Sequence, residues 1–154
     1  MKPPTALRSR VTRAVALCGA VVLAAGVVAC TPRPDGPAPA AQDFLSAFAD
    51  HDTERAAALS DRPEVAALAM DDTWKSLQAI SLTAETTDVD VQGDTATVGY
   101  SYEWHLPKER VWSYTGELQM GRRGGDWAVR WNSANLHPRL GDRQSMVLRS
   151  QPAG

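Results

Sequence analysis

The chain has 154 residues, which is enough for one ordinary domain, and its formal net charge is -2 at pH 7. The charged residues within 1–29 are all basic, so the acidic excess falls on the remainder, which argues against a nucleic-acid-binding protein. Hydrophobic residues make up 44% of the chain and five residues are Trp, a composition that excludes a collagen, a coiled coil or a wholly disordered chain.

The N-terminus has the layout of an export signal, because four basic residues precede an uncharged apolar run at 14–29. The run has 16 residues, fewer than the roughly 20 that cross a bilayer. Its end, Val27–Cys30, resembles the bacterial lipobox. That resemblance implies a signal peptide at 1–29 and a lipidated Cys30 that holds the protein at the outer face of the cell membrane. The alternative is an uncleaved N-terminal transmembrane anchor.

Cysteine usage agrees with this interpretation. Cys18 lies inside the apolar run and would be removed with the signal peptide, which leaves Cys30 as the single cysteine of the mature chain. An internal disulfide is therefore not expected. Two acyl chains on Cys30 would be sufficient for stable anchoring.

The chain is predicted to divide into four parts, of which the first is removed on export. The signal peptide at 1–29 precedes a Pro-rich linker at 30–40, which contains four prolines and is expected to be extended rather than helical. The folded domain covers 41–148, and a short tail covers 149–154. The linker is predicted to hold the domain away from the membrane surface.

Three helices are expected in the first half of the domain. An apolar stripe at helical spacing predicts a first helix over 41–49, and Asp52 or Thr53 can cap a short second helix that runs through Leu59.

The third helix has a clear start, because Asp61 can cap it and Pro63 falls in its first turn. It is expected to run to about Ala79. Its apolar members are predicted to be Val65, Leu68, Ala69, Trp74 and Leu77.

The second half alternates with a period of two. This pattern predicts long strands over 95–106 and 111–120, a third strand around 127–131, and a weaker earlier pair at 81–85 and 88–91. Gly, Pro and Asp residues mark the turns between the strands. The buried face of the two long strands is predicted to consist of Ala96, Val98, Tyr100, Tyr102, Trp104 and Leu106, together with Trp112, Tyr114, Gly116, Leu118 and Met120.

This order of elements predicts an α+β fold in which N-terminal helices pack on one face of a curved antiparallel sheet. The aromatic stripe of the strands should be the face that meets the helices. A curved sheet of this kind forms a cone whose mouth can hold a ligand.

The motifs in chain order resemble a known family. They are Phe44-Leu45, Asp50, Ser60-Asp61-x-Pro63, Trp104-x-Leu106-Pro107, Trp127-x-Val129-x-Trp131 and Leu136-His137-Pro138-x-Leu140. The pattern resembles the nuclear-transport-factor-2-like N-terminal domain of class B penicillin-binding proteins of the methicillin-resistance type, especially the actinobacterial members. The resemblance extends over about residues 40–147.

The resemblance implies a non-catalytic spacer or docking domain, associated with the transpeptidases of cell-wall synthesis and with the response to β-lactams. The transpeptidase motifs of the family belong to a later domain. Neither Ser-x-x-Lys nor Lys-Thr-Gly occurs in this chain, and Ser133-Ala134-Asn135, which matches Ser-x-Asn, is interpreted as a turn after the last strand. The implied partners are cell-wall transpeptidase or divisome proteins and the membrane, but not nucleic acid.

An isomerase or cyclase is a further possibility, because enzymes of those classes share this fold class and place an Asp or His base inside the cone. The candidates for such chemistry are Glu103, His105, Asp88, Asp90, Tyr100 and Tyr102. The alternation places Glu103 and His105 on the face opposite the aromatic stripe, outside any pocket. No catalytic residue is therefore assigned.

Metal and cofactor binding is not expected. His51, His105 and His137 fall on separate elements, and no pair of His or Cys residues has ligand spacing. The resemblance suggests a structural role for His137. Ligand-binding residues remain unassigned.

Two other groups of residues have both a structural and a functional interpretation. Arg122 and Arg123 are predicted to form a solvated hairpin tip, although they could also meet anionic wall polymer or lipid head groups. The tryptophans of the strands are predicted to be core residues rather than a carbohydrate platform. They are Trp104, Trp112, Trp127 and Trp131.

Two functional hypotheses outside enzymes remain open at this stage. The first is the membrane-tethered spacer or interaction domain of the transpeptidase system. The second is a stand-alone lipoprotein that binds a small apolar ligand in the cone.

Overall fold

The computed structural model describes residues 35–142 and 144–149. Three helices precede four strands and a short 3₁₀ turn. Their bounds are α1 Pro37–Ala49, α2 Thr53–Ala58, α3 Pro63–Leu77, β1 Ser81–Gln92, β2 Thr95–Leu106, β3 Arg110–Arg123, β4 Asp126–Val129, and the 3₁₀ turn Ser133–Asn135. Cys30, the signal peptide and the linker up to residue 34 lie outside the described residues, as does most of the tail.

Helix α1 begins four residues earlier than predicted, inside the stretch that was expected to be extended. Pro37 and Pro39 occupy its first turn. The prediction that residues up to 40 could not be helical was therefore wrong. The first N–H groups of a helix have no partner within it, so proline loses no hydrogen bond there, and its fixed φ suits the helix start.

Asp52 is confirmed as the cap of α2, because its carboxylate accepts the backbone N–H of Arg55 at 3.1 Å. The expected cap of α3 is wrong. The N-cap position of α3 is Arg62, and no side chain caps that end. The carboxylate of Asp61 instead accepts the backbone N–H of Trp131 at 2.7 Å, which joins the start of α3 to the residue beyond the last strand.

Helix α3 buries Trp74 and Leu77 as predicted, but the rest of its buried face differs from the predicted one. Val65 and Leu68 are 54% and 69% exposed, whereas Ala66 and Met70 are fully buried. Trp74 fixes this rotation, because its indole N–H donates to the carbonyl of Phe48 at 3.2 Å. With 3.6 residues per turn, the buried positions of α3 form one stripe, and Leu68 falls on the opposite side of the helix from that stripe.

The strands form one antiparallel meander in the order β1-β2-β3-β4. Strand β2 has the predicted bounds, and it pairs with β3 from Leu106↔Arg110 to Thr95↔Gly121. The two weak segments predicted before it are one strand, β1, which is interrupted by a register shift between Thr86 and Val89.

The aromatic stripe faces the helices, as predicted. Every member of the inward set on β2, from Ala96 to Leu106, is buried. The ring of Phe48 on α1 contacts Tyr102 and Trp104 with centroid distances of 5.8 and 5.7 Å, and Trp74 lies 5.1 Å from Trp104. The predicted α+β fold, with helices on one face of an antiparallel sheet, is therefore confirmed.

Among the described residues, no helix has both the length and the apolar character needed to span a bilayer.

Candidate functional site: the mouth of the curved sheet

Three tyrosines on the inward face of the sheet mark the place where a cone would open. Tyr100 and Tyr102 lie on β2 and Tyr114 lies on β3, and Tyr102 pairs with Tyr114 across the two strands. Their hydroxyls donate to three consecutive backbone carbonyls, those of Ala134 at 2.9 Å, Asn135 at 3.0 Å and Leu136 at 2.6 Å. The turn after the last strand is therefore fastened over this part of the sheet.

Gly116 makes room for this arrangement. It lies directly opposite Tyr100 in the ladder, and a Cβ atom at position 116 would collide with the phenol of Tyr100. The Tyr100 ring then stacks on Tyr102 at a centroid distance of 4.3 Å. A side chain at position 116 would have to displace the tyrosine that holds Ala134.

Asn135 fills the space beneath the turn. The residue is completely buried, and its side-chain oxygen accepts the backbone N–H of Asn132 at 2.6 Å. Its amide nitrogen has no hydrogen-bond partner among the described residues. Asn135 therefore occupies the space between the tyrosine rings and the turn.

Burial governs the chemistry of the tyrosines. It raises the pKa of Tyr100, Tyr102 and Tyr114 above the ordinary value of 10.0. The three phenols consequently stay protonated near neutral pH and act as hydrogen-bond donors. The indole N–H of Trp104 donates to the Tyr114 oxygen at 2.9 Å, which continues the chain of hydrogen bonds from the core to Leu136.

His137 lies at the rim of the mouth. Its ring stacks on Trp112 at 5.2 Å and contacts Tyr114 at 4.5 Å. Partial burial and the neighbouring Arg139 charge lower its pKa. Its Nδ1 accepts the backbone N–H of Arg139 at 3.1 Å, so the neutral ring carries its proton on Nε2. These contacts agree with the structural role that the family resemblance suggested.

The predicted carboxylate and imidazole candidates do not lie in the sheet mouth. Glu103 and His105 lie on the outer face of the sheet, as expected, 3.1 Å apart and each about half exposed. Ser113 Oγ lies 3.5 Å from the other Glu103 oxygen, so the carboxylate, not the imidazole, is next to the hydroxyl. This order is unsuited to activation of a serine nucleophile, which requires the base beside the hydroxyl.

The two aspartates proposed with them are also separated from the tyrosines. Asp88 and Asp90 are exposed on β1, where they accept hydrogen bonds from Thr87 and Gln92. None of the four carboxylate and imidazole candidates therefore lies inside the sheet mouth.

Metal ligation finds no support in the described part of the chain, where no group of three His, Cys, Asp or Glu residues is suitably placed. His51 is an exposed residue at the end of α1, as predicted. It stacks on Trp74 at 4.3 Å, and its Nε2 lies 4.0 Å from Asp71.

The arginine pair lies at the end of β3, at the predicted hairpin. Arg122 lies 3.3 Å from Asp94 and stacks 5.0 Å above the half-buried Trp127, while Arg123 donates to the carbonyl of Ser60. Both arginines are therefore engaged within the domain. Trp104 and Trp131 are core residues, whereas Trp112 and Trp127 are half-buried at its margin.

The sequence did not indicate the role of the segment 132–136. Asn135 is polar and follows the last strand, which is typical of a surface turn. Only the position of three tyrosines on one face of two neighbouring strands could have suggested that buried hydroxyls would need acceptors.

Comparison with known families gives a clear result. The model of the NTF2-like N-terminal transpeptidase domain family matches residues 36–144. The chain belongs to this family. The resemblance noted in the sequence is thereby confirmed, and by family this domain is a non-catalytic N-terminal domain associated with transpeptidases.

Solved structures resemble the chain at low identity. A hypothetical protein with a ketosteroid isomerase-like fold from Catenulispora acidiphila, solved in complex with trimethylamine, is 12% identical. The match covers 63% of this chain and 82% of that one, with a TM-score of 0.50. A putative NTF2-like transpeptidase from Campylobacter jejuni is 10% identical over 64% and 100% of the two chains, with a TM-score of 0.42. A comparison with curated proteins finds no match.

Proposed function

We propose that this NTF2-like domain is a membrane-tethered, non-catalytic spacer and interaction domain of the penicillin-binding transpeptidase system of cell-wall synthesis, acting in the response to β-lactams. Family membership supports the association with transpeptidases. The tether is a lipid on Cys30 at the outer face of the membrane.

The observation that carries this proposal is the filled mouth of the sheet. A ligand-binding or enzymatic domain of this architecture needs a concave pocket with convergent polar groups. Here the tyrosine hydroxyls are bonded to Ala134, Asn135 and Leu136, and they hold the chain's own turn in that space. Such a domain is suited to a mechanical and docking role.

The same observation disfavours the two alternatives. The relative from Catenulispora acidiphila was solved with trimethylamine, so a member of this fold can take a small molecule. In this chain, Asn135 and the tyrosines occupy the inward face of the sheet beneath the turn. An apolar ligand or an isomerase substrate would therefore have to displace the turn at 133–136.

The position of α1 sets the reach of the proposed tether. Six residues separate Cys30 from the helix start at Pro37, and an extended chain of that length spans about 20 Å. The linker would then hold the folded domain up to about 20 Å from the membrane surface, and partners near that surface would be within its reach.

The transpeptidase association is tested by the size of the endogenous protein. An antibody raised against residues 41–148 is used on the membrane fraction of the source cells, with fluorescent penicillin on the same gel. We expect one band, several times larger than this chain, that both reagents label. An unlabelled band at the size of this chain would contradict the transpeptidase assignment.

The anchor is tested separately with a labelled fatty acid. Cys30→Ala is expected to abolish incorporation of the label and to release the protein from the membrane fraction, because the acylated thiol is lost. Cys18→Ala is the matched control and should keep full labelling, since it lies within the predicted signal peptide. Label in the Cys30→Ala protein would overturn the lipid anchor.

A further inference from the structure

Strand β1 is an outer edge of the sheet, and a helix side chain is hydrogen-bonded to the end of its first half. Gln42 on α1 accepts from the backbone N–H and the hydroxyl of Thr86, each at 3.1 Å. The register then shifts, and Val89–Gln92 continues the edge. Among the described residues, no element besides β2 is hydrogen-bonded to the backbone of this second half.

The second half also exposes apolar side chains on a defined face. Val89 and Val91 are 41% and 52% exposed. They pair with Val98 and Ala96, which are both buried, so the two valines project from the same inward face beside the helix layer. They form a short apolar ledge along the edge of the sheet.

The outward face of the same edge is acidic. The strand Ser81–Gln92 contains Glu85, Asp88 and Asp90 but no Lys or Arg. Asp90 pairs with Thr97, whose side chain belongs to the outward set. Edge-to-edge pairing of two copies would bring like charges together, which is a recognised way of preventing self-association.

We infer that the edge at Val89–Gln92 accepts an extended segment of another protein as a fifth strand. The complementary segment alternates apolar and basic residues. Its apolar side chains pack on Val89 and Val91, and its Lys or Arg side chains lie beside Asp90 on the outward face. Main-chain hydrogen bonds to the edge supply affinity, and the two faces supply specificity. This inference does not depend on the lipid anchor or on the transpeptidase association.

The inference is tested with the full-length, ¹⁵N-labelled chain in a zwitterionic detergent. The probe is an acetylated and amidated heptapeptide that alternates Val and Lys, beginning and ending with Val. Saturable amide shifts should be confined to β1 and its neighbours on β2, and amide hydrogen exchange should slow at Val89–Gln92. A peptide alternating Val and Glu should cause neither change. No shift with the Val-Lys peptide at millimolar concentration would overturn the inference.

N-methylation of the peptide distinguishes backbone pairing from simple charge attraction as the cause of binding. One version of the peptide is N-methylated at its lysines and another at its internal valines. A strand presents alternate N–H groups to one neighbour, and the apolar ledge fixes which face turns inward. One version should therefore bind about tenfold more weakly than the other, because its pairing N–H groups are lost. Equal affinities would contradict strand addition.

A pair of protein variants locates the contact. Asp90→Lys should weaken binding about three- to tenfold, because it replaces an exposed attraction with a repulsion. Glu103→Lys makes the same charge change on β2, six residues and about 20 Å further along the strand from Thr97. It should leave the affinity unchanged. Equal losses in both variants, or peptide-independent dimerisation of the chain, would contradict the assignment of this edge to a basic partner.

Discussion

At the level of single residues, the hydroxyl groups of three tyrosines decide what the sheet mouth contains. Each hydroxyl donates to a backbone carbonyl of the turn at 134–136. Loss of one hydroxyl would leave a buried carbonyl without its donor, which costs about 1–3 kcal/mol. The tyrosines therefore act as clamps on the chain that follows the last strand.

The burial of these three tyrosines predicts a steep loss of stability at alkaline pH. In the unfolded chain, tyrosines ionise near their ordinary pKa of 10.0, whereas burial raises the folded pKa values above it. The unfolded state then binds fewer protons, so the free energy of unfolding falls as pH rises above 10. Each tyrosine contributes a slope of about 1.4 kcal/mol per pH unit.

Urea unfolding measured between pH 7 and pH 11 checks this prediction. Tyr102→Phe should lower stability throughout, and above pH 10 its stability should fall less steeply than that of the wild type by about one tyrosine's slope. Below pH 9 the two curves should run parallel, which serves as the internal control. Parallel curves above pH 10 would show that Tyr102 ionises equally easily in the folded and unfolded chains.

At the level of elements, α3 shows that helical spacing alone does not select the buried face. Trp74 and Leu77 belong to both the predicted and the observed apolar stripes. The observed face is set by the hydrogen bond from Trp74 to Phe48 and by the contact of Trp74 with Trp104 across the layer. Val65 and Leu68 consequently point away from the core.

A matched pair of truncations on α3 tests this orientation. Met70→Ala should lower the free energy of unfolding by about 2–5 kcal/mol, because Met70 is completely buried and its removal leaves a cavity. Leu68→Ala should change it by less than about 0.5 kcal/mol, because Leu68 is 69% exposed. Urea denaturation with unchanged m-values gives both numbers. A larger loss of stability for Leu68→Ala than for Met70→Ala would mean that α3 buries the predicted face rather than the observed one.

At the level of the whole domain, the helices and the sheet share one aromatic core. Phe48 contacts Trp74 on α3 as well as Tyr102 and Trp104 on β2. Asp61 ties the start of α3 to Trp131, and the N–H of Val129 donates to the carbonyl of Leu59. Neither layer can separate without exposing the apolar surface of the other.

This sharing predicts cooperative unfolding of the domain. Far-UV circular dichroism reports mainly on the helices, whereas four of the five tryptophans lie in the sheet half of the chain. The two signals should give the same urea midpoint, as expected for a two-state transition. A midpoint for tryptophan fluorescence clearly above that for helicity would mean that the sheet persists without α1–α3.

Local patterns predicted much of this fold. The alternation in 95–106 gave the bounds and the buried face of β2, since side-chain direction in a strand depends only on position along it. Asp52 was identified as a cap for the same local reason. The start of α1 was missed because proline was judged unfavourable to a helix in general, whereas it is unfavourable only beyond the first turn.

The sequence by itself thus determined the order of elements, the strand periodicity, the aromatic face of the sheet and the family motifs. Tertiary structure alone decided the rotation of α3, the partner of Asp61 and the filling of the sheet mouth by Asn135. The partner of Asp61 lies 70 residues away, and the carbonyls that meet Tyr100 and Tyr102 lie 34 and 33 residues away. Buried polar groups need hydrogen-bond partners, and tertiary packing decides which groups those partners are. The spacing of residues along the chain does not indicate them.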